Sequence, residues 1–304
     1  MYPPRFDYHR ATSLEEARSL LAEHADRDPR LLAGGHSLIP ALKTDRTTAD
    51  VLVDLGGIDD LEGVTTEPNE TIVGALTTYA DLLEASELAE RHPVLTDALA
   101  EVGDLQVRNR GTLGGNLAQA EPAADLPAAV LAANATIVAH GSGGEREIRA
   151  DEFFRGERET ALETGEVLTR VRLPAAPASD ADRTAGAYVR KTHPASGWAS
   201  LGVAVVLECE GESVREARLA ATGVTDRAIR LESVEDALAG EPLESATVAA
   251  AAERAAVGIE PDELRSDLHV SGEYRAGLVP VYVERALERA AKRIDASGNG
   301  GEPR

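Results

Sequence analysis

Cysteine, lysine and aromatic residues are scarce in this chain of 304 residues: Cys209 is the only cysteine, Lys43, Lys191 and Lys292 the only lysines, and aromatic residues make up 3%. One thiol excludes an internal disulfide and cannot supply the four thiolates of an ordinary iron–sulfur cluster. Its place in the apolar run Val203 to Cys209 marks it as a buried structural thiol rather than a nucleophile. No His/Cys/Asp/Glu spacing suits a metal, no Ser/His/Asp set is recognisable, and no carboxylate pair stands out from the acidic background. No apolar run approaches the roughly 18 residues of a membrane-spanning helix, and the first residues lack the apolar core of a signal peptide, so the expected location is the cytoplasm. The 31 basic residues against 53 acidic ones leave a net charge of −22 spread along the chain, which removes nucleic acid from the expected partners. With nearly all basic residues Arg, the composition reads as a halophile-like solvated surface, the alternative being an acidic mesophilic protein.

Two glycine-centred segments carry most of the information: Ala33-Gly34-Gly35-His36-Ser37 and Thr112-Leu113-Gly114-Gly115-Asn116. Paired glycines permit positive φ and close backbone approach, so successive N–H groups can converge on one anion. A lone Gly-Gly after an apolar run is usually a turn; two of them with hydroxyl and amide donors alongside point to a nucleotide cofactor. Neither fits Gly-x-Gly-x-x-Gly, and no Gly-x-x-x-x-Gly-Lys-Ser/Thr occurs, which argues against a dinucleotide Rossmann fold and a P-loop. Ser37 is both a phosphate donor and a cap for a helix starting near Leu38. His36 reads as a binding rather than a catalytic residue.

Local signals alternate along the chain. Thr12-Ser13 followed by Glu15 and Glu16 caps a helix expected over Leu14 to His24. Short β runs are expected at Leu31 to Ala33, Val51 to Val53 and Thr71 to Ala75, with Thr78-x-x-Asp81 opening a helix. Pro93 to Val102 and Pro122 to Ala133 read as helices on either side of a glycine loop at Gly111 to Asn116, with a proline at the first turn of the second. Strands follow at Ile137 to Ala139 and Val167 to Leu173, separated by a glycine turn and a Phe153-Phe154 loop. Pro174 to Asp182 breaks all periodicity and is read as a linker. Beyond it, Gly186 to Lys191, Ala199 to Glu208 and Val214 to Ala221 predict a three-stranded antiparallel sheet, with helices near 247–257 and 273–296. Ser297 to Arg304 reads as a disordered tail.

The stretch Gln106 to Ala118, together with Ala33 to Ser37, Glu121 to Pro127, Gly165 to Pro174 and Tyr274-Arg275, resembles the FAD-binding subunit of molybdenum hydroxylases. That group includes the medium subunit of carbon monoxide dehydrogenase and the flavin domain of xanthine dehydrogenase. The resemblance spans nearly the whole chain and implies an α+β protein. Residues 1–176 would form a two-subdomain FAD-binding domain and 185–296 a small C-terminal domain, with 297–304 the tail. It implies FAD as cofactor. Its expected ligands are Ala33, Gly34, Gly35, His36 and Ser37 from the first segment and Thr112, Gly114, Gly115 and Asn116 from the second.

By the same resemblance, Asp125 meets the ribityl hydroxyls, to which a carboxylate can offer two acceptor oxygens. Leu168 packs on the cofactor, Arg190 or Lys191 supplies a cation at the flavin end, and Trp198 stands beside the isoalloxazine. Without it, Asp125 is a first-turn helix charge, Leu168 simply core, and Trp198 a core aromatic. The implied partners are a large molybdenum-cofactor subunit and a small [2Fe–2S] subunit, assembled as a dimer of heterotrimers, with electrons passing through FAD to an external acceptor. The segment Lys191 to Trp198 lacks basic and acidic residues that many relatives carry there. Two rival readings are a self-contained FAD oxidoreductase, akin to the reductases of cell-wall precursor synthesis, and a non-enzymatic nucleotide-binding assembly subunit.

Overall fold

A computed structural model describes residues 2–175, 182–194 and 196–298. The first subdomain alternates β1 (Asp7–Arg10), α1 (Leu14–Glu23), β2 (Pro29–Leu32), α2 (Leu38–Lys43) and β3 (Val51–Asp54). Its three strands are parallel, in the order β1-β3-β2. Ser13 caps α1 as expected, accepting from Glu16 N, while Glu16 reaches back to the backbone N–H of Thr12. The β3 run Val51-Leu52-Val53 is wholly buried, as befits the central strand of a parallel sheet.

The second subdomain contains β4 (Val64–Thr66), β5 (Glu70–Gly74), α3 (Tyr79–Glu84), α4 (Ser86–Arg91), α5 (Pro93–Glu101), α6 (Leu105–Arg108), α7 (Leu113–Gln119) and α8 (Leu126–Ala132). It continues with β6 (Thr136–Gly141), β7 (Gly144–Arg149), α9 (Ala150–Phe153), β8 (Phe154–Gly156), β9 (Glu159–Thr160) and β10 (Val167–Pro174). Five of its strands form the sheet β4-β5-β10-β6-β7, antiparallel throughout. Two expectations are corrected here. The segment Gly111 to Asn116 is not a loop, because from Leu113 it is the first turn of α7. Phe153 and Phe154 are buried at the α9–β8 junction.

The C-terminal part pairs β11 (Asp182–Thr192), β12 (Ala199–Glu210), β13 (Ser213–Thr222) and β14 (Ile229–Arg230) in sequence order, followed by α10 (Glu232–Leu238), α11 (Ser245–Ala252) and α12 (Gly272–Gly298). The fourth strand is only two residues long, too short to leave a period in the sequence. Strand β12 is buried on both faces because the sheet is a middle layer. Ala204 joins the core of the second subdomain together with Tyr188 and Ala220, whereas Val203, Val205, Leu207 and Cys209 join a core built with α10, α11 and α12. Burial pushes the Cys209 thiol up, which keeps it protonated and inert. Helix α12 runs through Ser297 and Gly298, where a disordered tail was expected; the rest of that tail and most of the linker lie outside the described residues.

Candidate functional site

The two glycine segments are in contact, and each glycine has a different reason to be one. Strand β2 ends at Leu32, and the chain turns through Ala33 to Ser37 into α2. A β-carbon on Gly34 would lie 1.9 Å from the carbonyl oxygen of Arg110, so only glycine lets this turn rest on the 110–111 backbone. Gly35 has φ of +76°, the left-handed region that favours glycine. The backbone N–H groups of Gly34, Gly35, His36 and Ser37 make no hydrogen bond among the described residues, which leaves a run of donors on one turn. His36 is exposed. Ser37 stands at the head of α2 but does not cap it; its hydroxyl donates to Gln119 Oε1 at 3.1 Å.

The second segment is organised from outside. Thr78 caps α3 by accepting from Asp81 N, and an isolated bridge pairs Thr78 with Thr112, bringing the starts of α3 and α7 together. Thr112 caps α7 by accepting from Gly115 N at 3.2 Å. The N–H groups of Leu113 and Gly114 are already bound, to Thr77 O and Ala75 O. They are therefore not free for a phosphate, unlike those of the first segment. A β-carbon on Gly114 would lie 2.6 Å from Ala75 Cβ, so this glycine lets α7 press onto the end of β5. A β-carbon on Gly115 would lie 2.7 Å from its own cap, Thr112 Oγ1, and 3.3 Å from Ala33 Cβ.

Between the segments lies a cleft of about 210 Å³ lined by Ala33, Gly34, Thr78, Arg110 and Thr112, with Arg10, Asp54 and Glu62 on its wall. A larger hollow of about 590 Å³ runs along the Tyr2–Asp7 segment, away from the glycines. Donors and acceptors, not volume, single out the first. Asn116 donates through Nδ2 to the Tyr79 hydroxyl at 3.0 Å, and its buried Oδ1 has no partner. Burial, reinforced by the charge of Asp125 against the Asn116 hydrogen bond, pushes the Tyr79 hydroxyl up to about 12, so it stays protonated while it accepts from Asn116.

The remaining expected residues are distributed around this centre. Asp125 is 3% exposed, and both its oxygens are engaged: Oδ1 accepts from the Tyr188 hydroxyl at 2.6 Å and Oδ2 from Arg190 Nη1 at 2.9 Å. Burial pushes its carboxyl up, and Arg190 and Tyr188 pull it back. Leu168 is buried on β10 opposite Ala139, next to Thr169, whose carbonyl accepts from Ala75 N. Arg190 is turned inward and committed to Asp125 and Glu101, whereas Lys191, the next residue of the strand, is exposed. Trp198 is 44% exposed in the turn between β11 and β12, so it is no core aromatic. Neither Lys191 nor Trp198 is joined to the glycine segments by a hydrogen bond among the described residues.

Sequence reasoning missed Tyr79, Tyr188 and Gln119. Tyr79 was within reach, since it directly follows the cap of α3, but nothing local marks the other two.

This donor set fits FAD. Free backbone N–H groups suit a phosphate, an unpartnered amide oxygen suits a hydroxyl donor, and the glycine contact keeps side chains out. The chain matches the model of the FAD binding domain in molybdopterin dehydrogenase over residues 4–176 and that of the CO dehydrogenase flavoprotein C-terminal domain over 187–290. It belongs to this family of FAD-binding dehydrogenase subunits, with FAD as its cofactor. It is 38% identical over 293 residues to the carbon monoxide dehydrogenase medium chain of Hydrogenophaga pseudoflava, covering 96% of this chain and 99% of that one. To the glyceraldehyde dehydrogenase medium chain of Sulfolobus acidocaldarius it is 35% identical, covering 96% and 100%. Among solved structures, a chain of the Hydrogenophaga pseudoflava carbon monoxide dehydrogenase superposes with a TM-score of 0.90 at 38% identity, covering 96% of this chain and 99% of that one. A chain of quinoline 2-oxidoreductase from Pseudomonas putida 86 gives 0.87 at 34% identity, covering 96% and 99%.

Proposed function

We propose that this chain is the electron-transfer flavoprotein subunit of a three-component molybdenum hydroxylase. Its partners are a large subunit holding the molybdenum cofactor and a small one holding [2Fe–2S] clusters, the whole forming a dimer of heterotrimers in the cytoplasm. In this reading residues 1–176 hold the cofactor and 185–296 form the second domain. The observation that carries it is the junction of the two glycine segments, with four unbonded N–H groups on the turn into α2 and the unpartnered Asn116 Oδ1 on α7, in a chain aligned over 96% of its length with medium chains.

FAD, when bound, supplies the redox step between the partner's clusters and an external acceptor. The protein's own groups bind and tune. Gly34, Gly35, His36 and Ser37 offer N–H donors to phosphate, with Ala33 at the start of that turn. Thr112, Gly114 and Gly115 fix α7 beside them, Asn116 accepts from a cofactor hydroxyl, and Leu168 closes the apolar side. Asp125 stands at the ribityl end. Arg190 being engaged, Lys191 is the cation left to offset negative charge on the reduced ring, with Trp198 alongside.

The test is affinity purification of the tagged chain from its native host under mild conditions, with identification of the chains recovered and a flavin spectrum of the product. A large molybdopterin-containing chain and a small cysteine-rich one, in equal amounts with a yellow protein, are expected. Recovery of a yellow chain alone, active on its own substrate, overturns the reading.

A further inference from the structure

The two oxygens of Asp125 are held by residues more than sixty positions away. Tyr188 and Arg190 both come from β11, and Arg190 is fixed in turn by Glu101 of α5, through Oε2 at 3.0 Å and the carbonyl oxygen at 2.5 Å. The place of Tyr188 is built into the neighbouring strand, since a β-carbon at Gly202 on β12 would lie 1.9 Å from the Tyr188 hydroxyl. The same sheet holds the backbone leading to Asp125. Thr222 Oγ1 lies 2.7 Å from the carbonyl oxygens of both Pro122 and Ala124, and Gly223 N donates to Pro122 O at 2.8 Å. The 121–125 segment follows directly on α7, which carries Asn116 and ends at Gln119, the acceptor of the Ser37 hydroxyl in the first glycine segment.

We propose that Tyr188 and Arg190 are positioning residues that act through Asp125, holding the 121–125 segment at the end of α7, so that docking of the C-terminal sheet sets how tightly the site keeps FAD. The proposal rests on the glycine cleft being the FAD site. It differs from a purely direct role for Asp125, because both carboxylate oxygens are engaged by Tyr188 and Arg190. The titratable and charged groups around it are Arg190 and Tyr188 of β11, Glu101 of α5 and Tyr79 of α3.

The experiment is a titration of the full-length apo-chain with FAD, read by flavin fluorescence between about pH 6 and 9, for wild type, Tyr188→Phe, Arg190→Met, Asp125→Asn and the double variant Asp125→Asn/Arg190→Met. Arg190→Met is expected to weaken FAD binding by about tenfold or more, a usual size for coupling between parts of a protein. The loss should deepen as pH rises. Without its cation the buried carboxyl is tolerated only when protonated; its pKa is raised in the docked state, so docking is complete at low pH and is lost as pH passes the raised value. The double variant, with a neutral amide, should bind more tightly than Arg190→Met alone and show no such slope.

Arg190→Met binding FAD like wild type at every pH overturns the proposal. So does Asp125→Asn abolishing binding with the double variant no better, which makes Asp125 a direct ligand and Arg190 incidental. Where the apo form of Arg190→Met does not fold, Tyr188→Phe and the double variant decide: weaker binding than wild type in both supports the proposal, and wild-type binding in both overturns it. Failure of the site assignment is separate, since it would show as full FAD retention in Gly35→Asp with the Arg190 effects still present.

Discussion

The backbone of Gly34 rests on the carbonyl of Arg110, so close that a β-carbon would stand 1.9 Å from that oxygen. Because the obstruction is main chain, no side-chain rotation can relieve it. Gly34→Ala must push the two segments apart, at a cost of about 1–3 kcal/mol as for other overpacked sites. It should lose most of its flavin. Gly35→Ala meets only the Leu32 and Ile39 side chains, at 3.2 and 3.4 Å, and pays mainly for its left-handed φ, roughly 1 kcal/mol. Gly114→Ala should destabilise the apo-protein as well, since it collides with Ala75 and separates α7 from β5. Flavin-to-protein ratio and melting temperature of the three purified variants check this. Equal flavin content in Gly34→Ala and wild type would remove the cleft from consideration.

His92 gives the fold an acid limit. It is 5% exposed at the head of α5, its Nε2 lies 3.0 Å from Thr71 Oγ1, and burial, with Arg91 nearby, pushes its pKa down to about 4. The unfolded chain, with a value near 6.5, binds the proton first, so stability is present above pH 6.5 and is lost as pH falls towards 4. The full loss from this one group is about 3 kcal/mol. Carboxylates held down by arginines, such as Glu145 and Glu166, act in a lower window, below their ordinary values. Melting temperature against pH should therefore fall between about 6.5 and 4 in the wild type and less steeply in His92→Gln. Parallel curves would show that His92 carries no part of the acid limb.

Capping signals were legible in the sequence because they are local: Ser13 and Thr78 cap the helices they were expected to cap. The run Val203 to Cys209 read as a strand because both its faces meet a core. The second glycine pair was misread as a loop for a physical reason. Two adjacent glycines cost a helix about 1 kcal/mol each against alanine, and the fold accepts this because Gly114 must lie on Ala75. That requirement comes from a strand some 40 residues earlier. The engagement of Asp125 was hidden likewise, since Tyr188 and Arg190 reach it only through the docking of β11. Choosing Lys191 over Arg190 as the free cation needed the direction of each side chain, which spacing in the chain does not give.

Salt should stabilise this protein. The net charge of −22 is dispersed, and many of its ion pairs are exposed arginine–carboxylate pairs such as Arg27–Asp7 and Arg149–Asp151, each worth little. Screening weakens such pairs slightly but relieves the larger repulsion among unpaired carboxylates, the Debye length shrinking to about 3 Å at 1 M. A melting temperature that rises with KCl up to molar concentration is expected, by several degrees. A flat or falling curve would reject the halophile-like reading of the surface without touching the flavin site.

Substrate oxidation should depend on partner chains. One cysteine cannot hold an iron–sulfur cluster, and Cys209 is buried in the C-terminal core. The isolated chain is therefore expected to bind FAD non-covalently, releasing it on acid precipitation, yet to leave it oxidised when mixed anaerobically with carbon monoxide, an aldehyde or a purine. The assembled complex, given the substrate of its large subunit, should bleach the flavin band near 450 nm, a position general to oxidised flavins (approximate). Dithionite provides the control that the bound flavin is reducible in both samples. Substrate-driven bleaching by the isolated chain at the rate of the complex would make it a self-contained oxidoreductase. Bleaching confined to the complex would place the chemistry in the partners, with this chain contributing the flavin through which electrons leave.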